Sequence, residues 1–304
     1  MKNTCEKELR PYLMEPKAMI VGVPGKTGYL NMVFELDSSG KSILRHLSRR
    51  VPIIVQQALY FDEEMPEMPC VYILSSGGQN VDGDRYSQII TMRKDAFAFI
   101  STGAATKLAE MRYNHSAMRQ IFALDEGAYL EFLPEPTIPC KNTRFISNSE
   151  FIVHPTATLF YSEIFTAGRK YYGNGELFRY DLLSLCSHGK RPDDTPLFHE
   201  KMVITPQSDN VRHIGVMHDY DVFADAFIMT PRDKADVIYE QIKPFIDRNE
   251  QTALGIIRLP NDCGLNLKIL GKETSPVKAL MREICSIVRK TIKGKTLPDE
   301  FPWR

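Results

Sequence analysis

The chain has no CxxC pair, no apolar run of membrane-spanning length, a single tryptophan and no excess of charge of either sign. Each absence removes a class of function. The six cysteines, Cys5, Cys70, Cys140, Cys186, Cys263 and Cys285, lie far apart, which argues against a zinc ribbon and fits reduced thiols in the cytosol. A helical membrane span needs about 20 consecutive apolar residues, far more than any stretch here offers. With 38 basic and 38 acidic residues the net charge is +0, so nothing is set aside to neutralise a phosphate backbone and nucleic acid is not an expected partner. The same neutrality removes self-repulsion and favours association. The start, MKNTCEKELRPYLMEPKAM, scatters charge and lacks the apolar core of a signal peptide. The expectation is a soluble, cytoplasmic globular protein.

The familiar catalytic signatures are missing as well. No GxSxG announces a nucleophilic serine. VGVPGKTG, Val21 to Gly28, imitates a phosphate loop, but the position that must be the first glycine is Ile20, and YLNMVFELD after it reads as a strand. SSGGQNVDGDR, Ser75 to Arg85, imitates the start of a calcium loop. Its sixth position is Arg85 rather than Gly, and its twelfth is Thr91, which offers no carboxylate. None of the seven histidines forms HxH or HxxxH, and His213 and His218, five apart, fall on opposite faces of a strand; no tight histidine site is expected from spacing, which leaves open the convergence of distant residues in the fold. Trp303 stands at the far C-terminus, leaving no tryptophan in the body to stack on a sugar.

Strands are what the chain does have. From about residue 17 to 220, short runs rich in β-branched and aromatic residues alternate with Gly, Pro, Asn and Asp: KAMIVGV, YLNMVFELD, PIIVQQALYF, CVYILS, YSQIITM, AFAFIS, RQIFAL, AYLEFL, FIVHP, TATLFYSEIF, LFRYDLLSL and PLFHEKMVIT. Ala-rich TGAATKLAEMRYN, Thr102 to Asn114, interrupts them as a short helical turn. After Phe227 the texture changes. Thr230-Pro231-Arg232-Asp233 resembles a capping box, and Ala235, Ile238, Ile242 and Phe245 repeat at helical spacing, predicting a helix over Pro231–Arg248. Strand-like TALGIIRL and LNLKILG follow, then a second helix over Ser275–Ile292 carrying Val277, Leu280, Met281, Ile284, Ile287 and Val288 on one face. The fold class is mainly β: one domain over 1–304, with a β body at about 17–220 and a helix–strand–strand–helix end at about 230–292.

Six stretches in one order carry a family likeness: VPIIVQQALYFDEE, VYILSSGGQNVDGDR, FAFISTGAATKLAEM, GAYLEFLPEPTIPC, SEIFTAGRKYYGNGELF and PLFHEKMVI. Their succession, from about Pro52 to Ile204, resembles the urease accessory protein D family (H in some bacteria). That family shows a Q-x-x-x-Y strand, a GG-x-x-x-GD loop, T-x-x-A-T/S-K, LE-W/F-LP, GR…GE-x-F and a late PL…E. Here Phe132 replaces the usual Trp, Gln57 stands where a basic residue is typical, and one extra residue separates Gly168-Arg169 from Gly175-Glu176. The last third matches only in its pattern of elements.

The resemblance implies a layered, helical-sheet β body with a pair of helices, and a protein that is not an enzyme. It implies binding to apo-urease together with accessory proteins F and G, G being the GTPase, in a complex that can be dimeric. It implies nickel in transit through an internal water-filled tunnel, with no permanently bound cofactor and no catalytic residue. Carried over position by position, Asp84 is the acid of the GD motif, Glu163 the acid five residues before GR, Glu176 the acid of GE and Glu200 the acid after the PL strand. These four are the expected metal-path residues. Scattered oxygen ligands suit a weak stopover for nickel better than imidazole or thiolate clusters. The same acids can instead cap buried backbone N–H groups or pair with Arg85 and Arg169. A second reading from the residues alone is a carbohydrate-active hydrolase on a β scaffold, drawing a carboxylate pair from Asp84, Glu131, Glu163, Glu176 and Glu200. Because no nucleotide loop is present, purified protein is expected to show no GTP turnover; measurable turnover abolished by Lys26→Ala overturns this expectation.

Overall fold

In the computed structural model, residues 7–13 and 25–303 are described. The expected strand at residues 17–23 and the first half of VGVPGKTG lie outside them. The fold is mainly β, with two α-helices near the C-terminus.

Between Cys70 and Lys190 the chain winds as a coil, each turn laying one strand in each of two facing sheets. The turns are Cys70–Ser75 with Arg85–Met92, Phe97–Thr102 with Ser116–Leu124, Tyr129–Phe132 with Arg144–Val153, and Thr158–Thr166 with Leu182–Lys190. Equivalent strands of successive turns stack in parallel, with Phe97 opposite Tyr129 and Tyr129 opposite Thr158 in one sheet, and Arg85 opposite Ala117 in the other. A short third ladder, Gln79–Asn80, Thr106–Leu108 and Thr137–Pro139, joins the two along one side. Further strands complete the edges. The sheet that holds Arg85–Met92, called the first, gains Thr27–Leu36, parallel to Arg85–Met92, and the antiparallel Ser42–Arg50 and Pro196–Ile204; the other, called the second, gains the antiparallel Val222–Met229, Gly264–Gly271, Thr252–Arg258, Phe245–Asp247 and Ile53–Ile54. This is the layered helical-sheet body expected.

Two apolar layers result. Met32, Phe34, Ile90, Phe122 and Phe151 of the first sheet meet Ile100, Leu130, Phe132 and Tyr161 of the second. The outer face of the second sheet packs through Phe99, Phe160, Ile164 and Leu267 onto helices α1 (Arg232–Gln241) and α2 (Thr274–Lys293). A strand covered on both faces loses the in–out alternation, and TLFYSEIFT is accordingly buried along nearly its whole length.

Several expectations are corrected here. Thr102–Asn114 holds no helix: Thr106–Leu108 is the middle strand of the short ladder, and stacking between two turns overrides the alanine propensity. Helix α1 ends at Gln241, because Pro244 excludes helical geometry from the residue before it, so Phe245 opens a strand and is 36% exposed. Thr230 is no cap; Pro231 holds the cap position and the Thr230 hydroxyl bonds that of Thr158 at 2.8 Å. PIIVQQALYF yields only the two-residue strand Ile53–Ile54. The charged strand Ser42–Arg50 and the apolar Val222–Met229 were not anticipated, and the C-terminal end carries three strands rather than two, all paired into the second sheet. His213 and His218 lie in an irregular loop, not a strand.

Helix α2 is locked down by charge as well as by apolar contact. Arg289, fully buried, donates to Glu131 through Nε at 2.8 Å and Nη2 at 2.6 Å, and to Asp62 through Nη1 at 2.5 Å. Tyr129 adds a bond to Glu131 at 2.5 Å. Arg282 then fixes the chain end through the carbonyls of Asp299, Phe301 and Trp303, the last ring being buried. Met281→Ala or Ile284→Ala is expected to lower stability by about 2–5 kcal/mol, and Arg289→Met by about 3–5 kcal/mol because two buried carboxylates lose their partner. Phe245→Ala should cost less than about 0.5 kcal/mol. Denaturant unfolding of the four variants checks the ranking.

Candidate functional site

The loop Ser75–Arg85 is a stitch between turns of the coil. Gly78 and Gly83 take positive φ of 72° and 81°, conformations that side chains resist. They free the backbone to bring two aspartates inward. Asp82 accepts from the backbone N–H groups of Arg112, Tyr113 and Asn114 at 2.8–3.0 Å. Asp84, fully buried, accepts from the N–H of Lys26 and of Val81, each at 2.9 Å, and from the Tyr86 hydroxyl at 2.7 Å. Its carboxylate therefore caps two backbone donors and orients Tyr86.

Tyr86 lines a cleft of about 450 Å³ that opens beside this loop and runs inward past Gln88, Thr102, Thr106 and Met118. Those last four residues also line a smaller cavity of about 70 Å³, deeper between the sheets, which reaches Gln120, Ser147 and Glu163. Such a volume holds a few waters and no sugar ring. Polar groups thread the otherwise apolar interlayer. Gln120 donates to Gln88 at 3.3 Å and accepts from Tyr161 at 3.0 Å and Ser149 at 3.2 Å. Ser147 donates to Glu163 at 3.2 Å.

Glu163 is the chemically unusual member. Burial pushes its carboxyl up to about 7 from an ordinary 4.5; the bond from Tyr161 opposes the shift and the nearby Asp225 adds to it. Asp225 is directly opposite Glu163 across the antiparallel pair, and Lys268 is opposite Asp225 on the next strand. Lys268 donates to Asp225 at 2.5 Å and also bonds Glu200. Burial likewise raises the Asp225 carboxyl, whereas the Lys268 ammonium is held above its ordinary value because its two acids outweigh the burial that opposes it. The cluster thus joins Ser147, Glu163, Asp225, Lys268 and Glu200 across both sheets.

Of the four expected acids, the fold brings Glu163 and Glu200 together through Asp225 and Lys268, and sets Asp84 beside Tyr86 at the cleft. Glu176 stands apart. It closes its own loop through a two-pronged pair with Arg169 at 2.6 and 2.7 Å, which lowers its pKa. Gly168 serves the same closure: with φ at 138°, an added Cβ would lie 2.0 Å from the Glu176 carbonyl oxygen. Glu131, a candidate for a hydrolytic pair, is consumed by Arg289. Asp225 and Lys268 were missed from sequence, although a lone charge inside VFADAFIM and another inside LNLKILG are the signals that mark them. Potential ligands distant in sequence do converge at one further place. Cys186, His188 and His199 place one potential ligand atom each within 4.8 Å of one another, the one such trio among the described residues.

The described residues form a coiled β body whose two facing sheets enclose buried polar groups among apolar ones. Residues 26–304 match the sequence model of the UreD urease accessory protein family, so the last third belongs to the match as fully as the middle. The chain is 44% identical over 297 residues to urease accessory protein UreD 2 of Brucella suis biovar 1, covering 98% of both chains. It is 41% identical over 297 residues to urease accessory protein UreD of Yersinia pseudotuberculosis serotype O:1b, covering 98% of this chain and 92% of the relative. The chain belongs to the UreD urease accessory protein family.

The raised pKa of Glu163 makes a stability prediction. Between pH 4.5 and about 7 the unfolded chain has released this proton while the folded chain keeps it, so stability falls as pH rises through that window, by roughly 3 kcal/mol, and levels off above it. Glu163→Gln should flatten this part of the pH–stability curve. An unchanged slope in the variant removes the assignment.

Proposed function

We propose that this chain acts in urease maturation as a non-catalytic chaperone that passes nickel through its interior to apo-urease. It would do so in the cytoplasm, in a complex with accessory proteins F and G, with G supplying the GTPase. Family membership supports the urease role. The single observation that supports transfer is the polar passage from the Tyr86 cleft to Glu163. A divalent ion entering between two sheets must replace its water shell, at a very large cost if nothing does so. Hydroxyl and amide oxygens of Tyr86, Gln88, Gln120 and Ser147 offer neutral ligands along the way, and Glu163 offers the charge. The Lys268 ammonium offsets Asp225 and Glu200, so the cluster holds a passing cation less tightly than three unopposed carboxylates would, as transfer demands. Entry of a cation would displace the Glu163 proton, so transfer weakens as pH falls below about 7. Asp84 would serve by aiming Tyr86, whereas Glu176, paired with Arg169 away from this route, would serve the fold alone.

The test pairs nickel content of urease with recovery of the complex. Glu163→Gln and Glu200→Gln should lower nickel incorporation severalfold, with apo-urease and accessory protein F still recovered in pull-downs. Asp84→Ala also strands two part-buried N–H groups, each worth at most about 1–3 kcal/mol, and should lower the melting temperature besides nickel content. Normal nickel content in both glutamine variants defeats the transfer reading. Failure of the wild-type chain to co-elute with apo-urease or accessory protein F defeats the proposal as a whole.

A further inference from the structure

The outer face of the first sheet carries a second cluster, on the side away from the interlayer. Cys186 and His188 are two apart on Leu182–Lys190, so both side chains leave the same face. His199, on Pro196–Ile204, is the direct antiparallel partner of His188. The Cys186 Sγ lies 3.7 Å from His199 Nε2, and the His188 and His199 rings lie with centroids 6.1 Å apart and planes inclined by 26°. His199 is exposed, His188 is half-buried, and Cys186 is buried at the base. Glu150, on the neighbouring strand, places Oε1 3.8 Å from His188 Nε2, where it also meets Lys190 at 3.1 Å.

We propose that Cys186, His188 and His199 form a zinc-binding site. A zinc ion with Zn–S of about 2.3 Å and Zn–N of about 2.0–2.1 Å at tetrahedral to trigonal angles sets its sulfur and nitrogen ligands roughly 3.6–3.8 Å apart. The observed 3.7 Å already meets that requirement. One thiolate and two imidazoles suit zinc, which accepts tetrahedral geometry readily, whereas divalent nickel favours square-planar nitrogen and oxygen sets. The three ligands stand on two hydrogen-bonded strands, so little backbone has to be ordered when the ion binds. The exposed side at His199 leaves the fourth position to water, with Glu150 the nearest carboxylate.

Pro196–Ile204 is the outermost strand of its sheet, held on one side only. Zinc would staple it to its neighbour. On its opposite face the same strand carries Glu200, paired with Ser187 in register and bonded to Lys268. Loading the outer face therefore fixes the strand from which Glu200 reaches inward. The zinc site stands whether or not nickel passes through the interior.

Cobalt(II) titrated into the untagged full-length protein, under reducing conditions, is the probe. One equivalent should give a thiolate-to-cobalt charge-transfer band and intense visible ligand-field bands, and zinc should displace both. Cys186→Ser should abolish the charge-transfer band. His199→Ala, at an exposed position that keeps the fold, should weaken cobalt binding by more than about tenfold, the loss of an inner ligand exceeding the 10–100-fold effect of outer-shell partners. Zinc should also raise the melting temperature of the wild type and leave that of His199→Ala unchanged. Absence of the bands in the wild type, or their persistence in both variants, overturns the assignment.

Discussion

The buried guanidinium of Arg289 is the interaction on which the architecture turns. It gathers Asp62, from the irregular crossing before the coil, and Glu131, from the coil's third turn, beneath a helix more than 150 residues further along the chain. Three ionised groups out of water are costly unless every oxygen and N–H finds a partner, and here the fork of Arg289 meets both carboxylates while Tyr129 completes Glu131. Such an arrangement tolerates no slippage of the helix along the sheet. The next residue after Glu131 shows what that rigidity secures. Phe132 points the other way, into the interlayer, where it lines the cavity beside Glu163. The clamp on one face of the strand fixes the wall of the passage on the other.

The two apolar layers are not equivalent. Beneath the helices, burial is nearly all aliphatic and aromatic, and charge enters only in matched form. Between the sheets, a Gln88–Gln120–Ser149 chain and a Ser147–Glu163 pair interrupt the packing. A core built for stability alone would fill those positions with carbon, since buried polar groups at best recover what desolvation costs. Glu163, with a pKa near neutrality and a hydroxyl rather than a base as its hydrogen-bond donor, is the furthest departure from that economy. The pattern of neutral oxygens ending on a proton-holding acid is the physical basis of the transfer reading.

Much of this was legible beforehand, and the misses share a cause. Strand runs such as CVYILS and PLFHEKMVIT stand where their composition put them, because local β-propensity and packing agree there. Thr102–Asn114 and the end of α1 went astray where local pattern and context disagree: stacking made a strand of an alanine-rich segment, and Pro244 stopped a period that continued on paper. Asp82 and Asp84 are turn acids in the plainest sense, yet which N–H groups they cap depends on residues some 30 to 58 positions distant. The pairing of Glu163 with Asp225 and Lys268 was invisible because it needs the register of three strands at once. The C-x-H of Cys186 and His188 could have been read as one face of a strand; the third member, His199, follows only from the hairpin register.

By itself the sequence determined the class of the fold, the order of most strands and the family, and it singled out five carboxylates as candidates, since composition, periodicity and motif order are properties of the chain read in line. Tertiary structure alone decided what those acids do. Asp84 became a cap, Glu176 a loop closure, Glu131 half of a buried ion pair and Glu163 a proton-holding acid between the sheets. Charge, protonation and ligand geometry are set by neighbours within a few ångströms, and in a coiled, parallel-stacked β protein those neighbours come from distant turns of the chain.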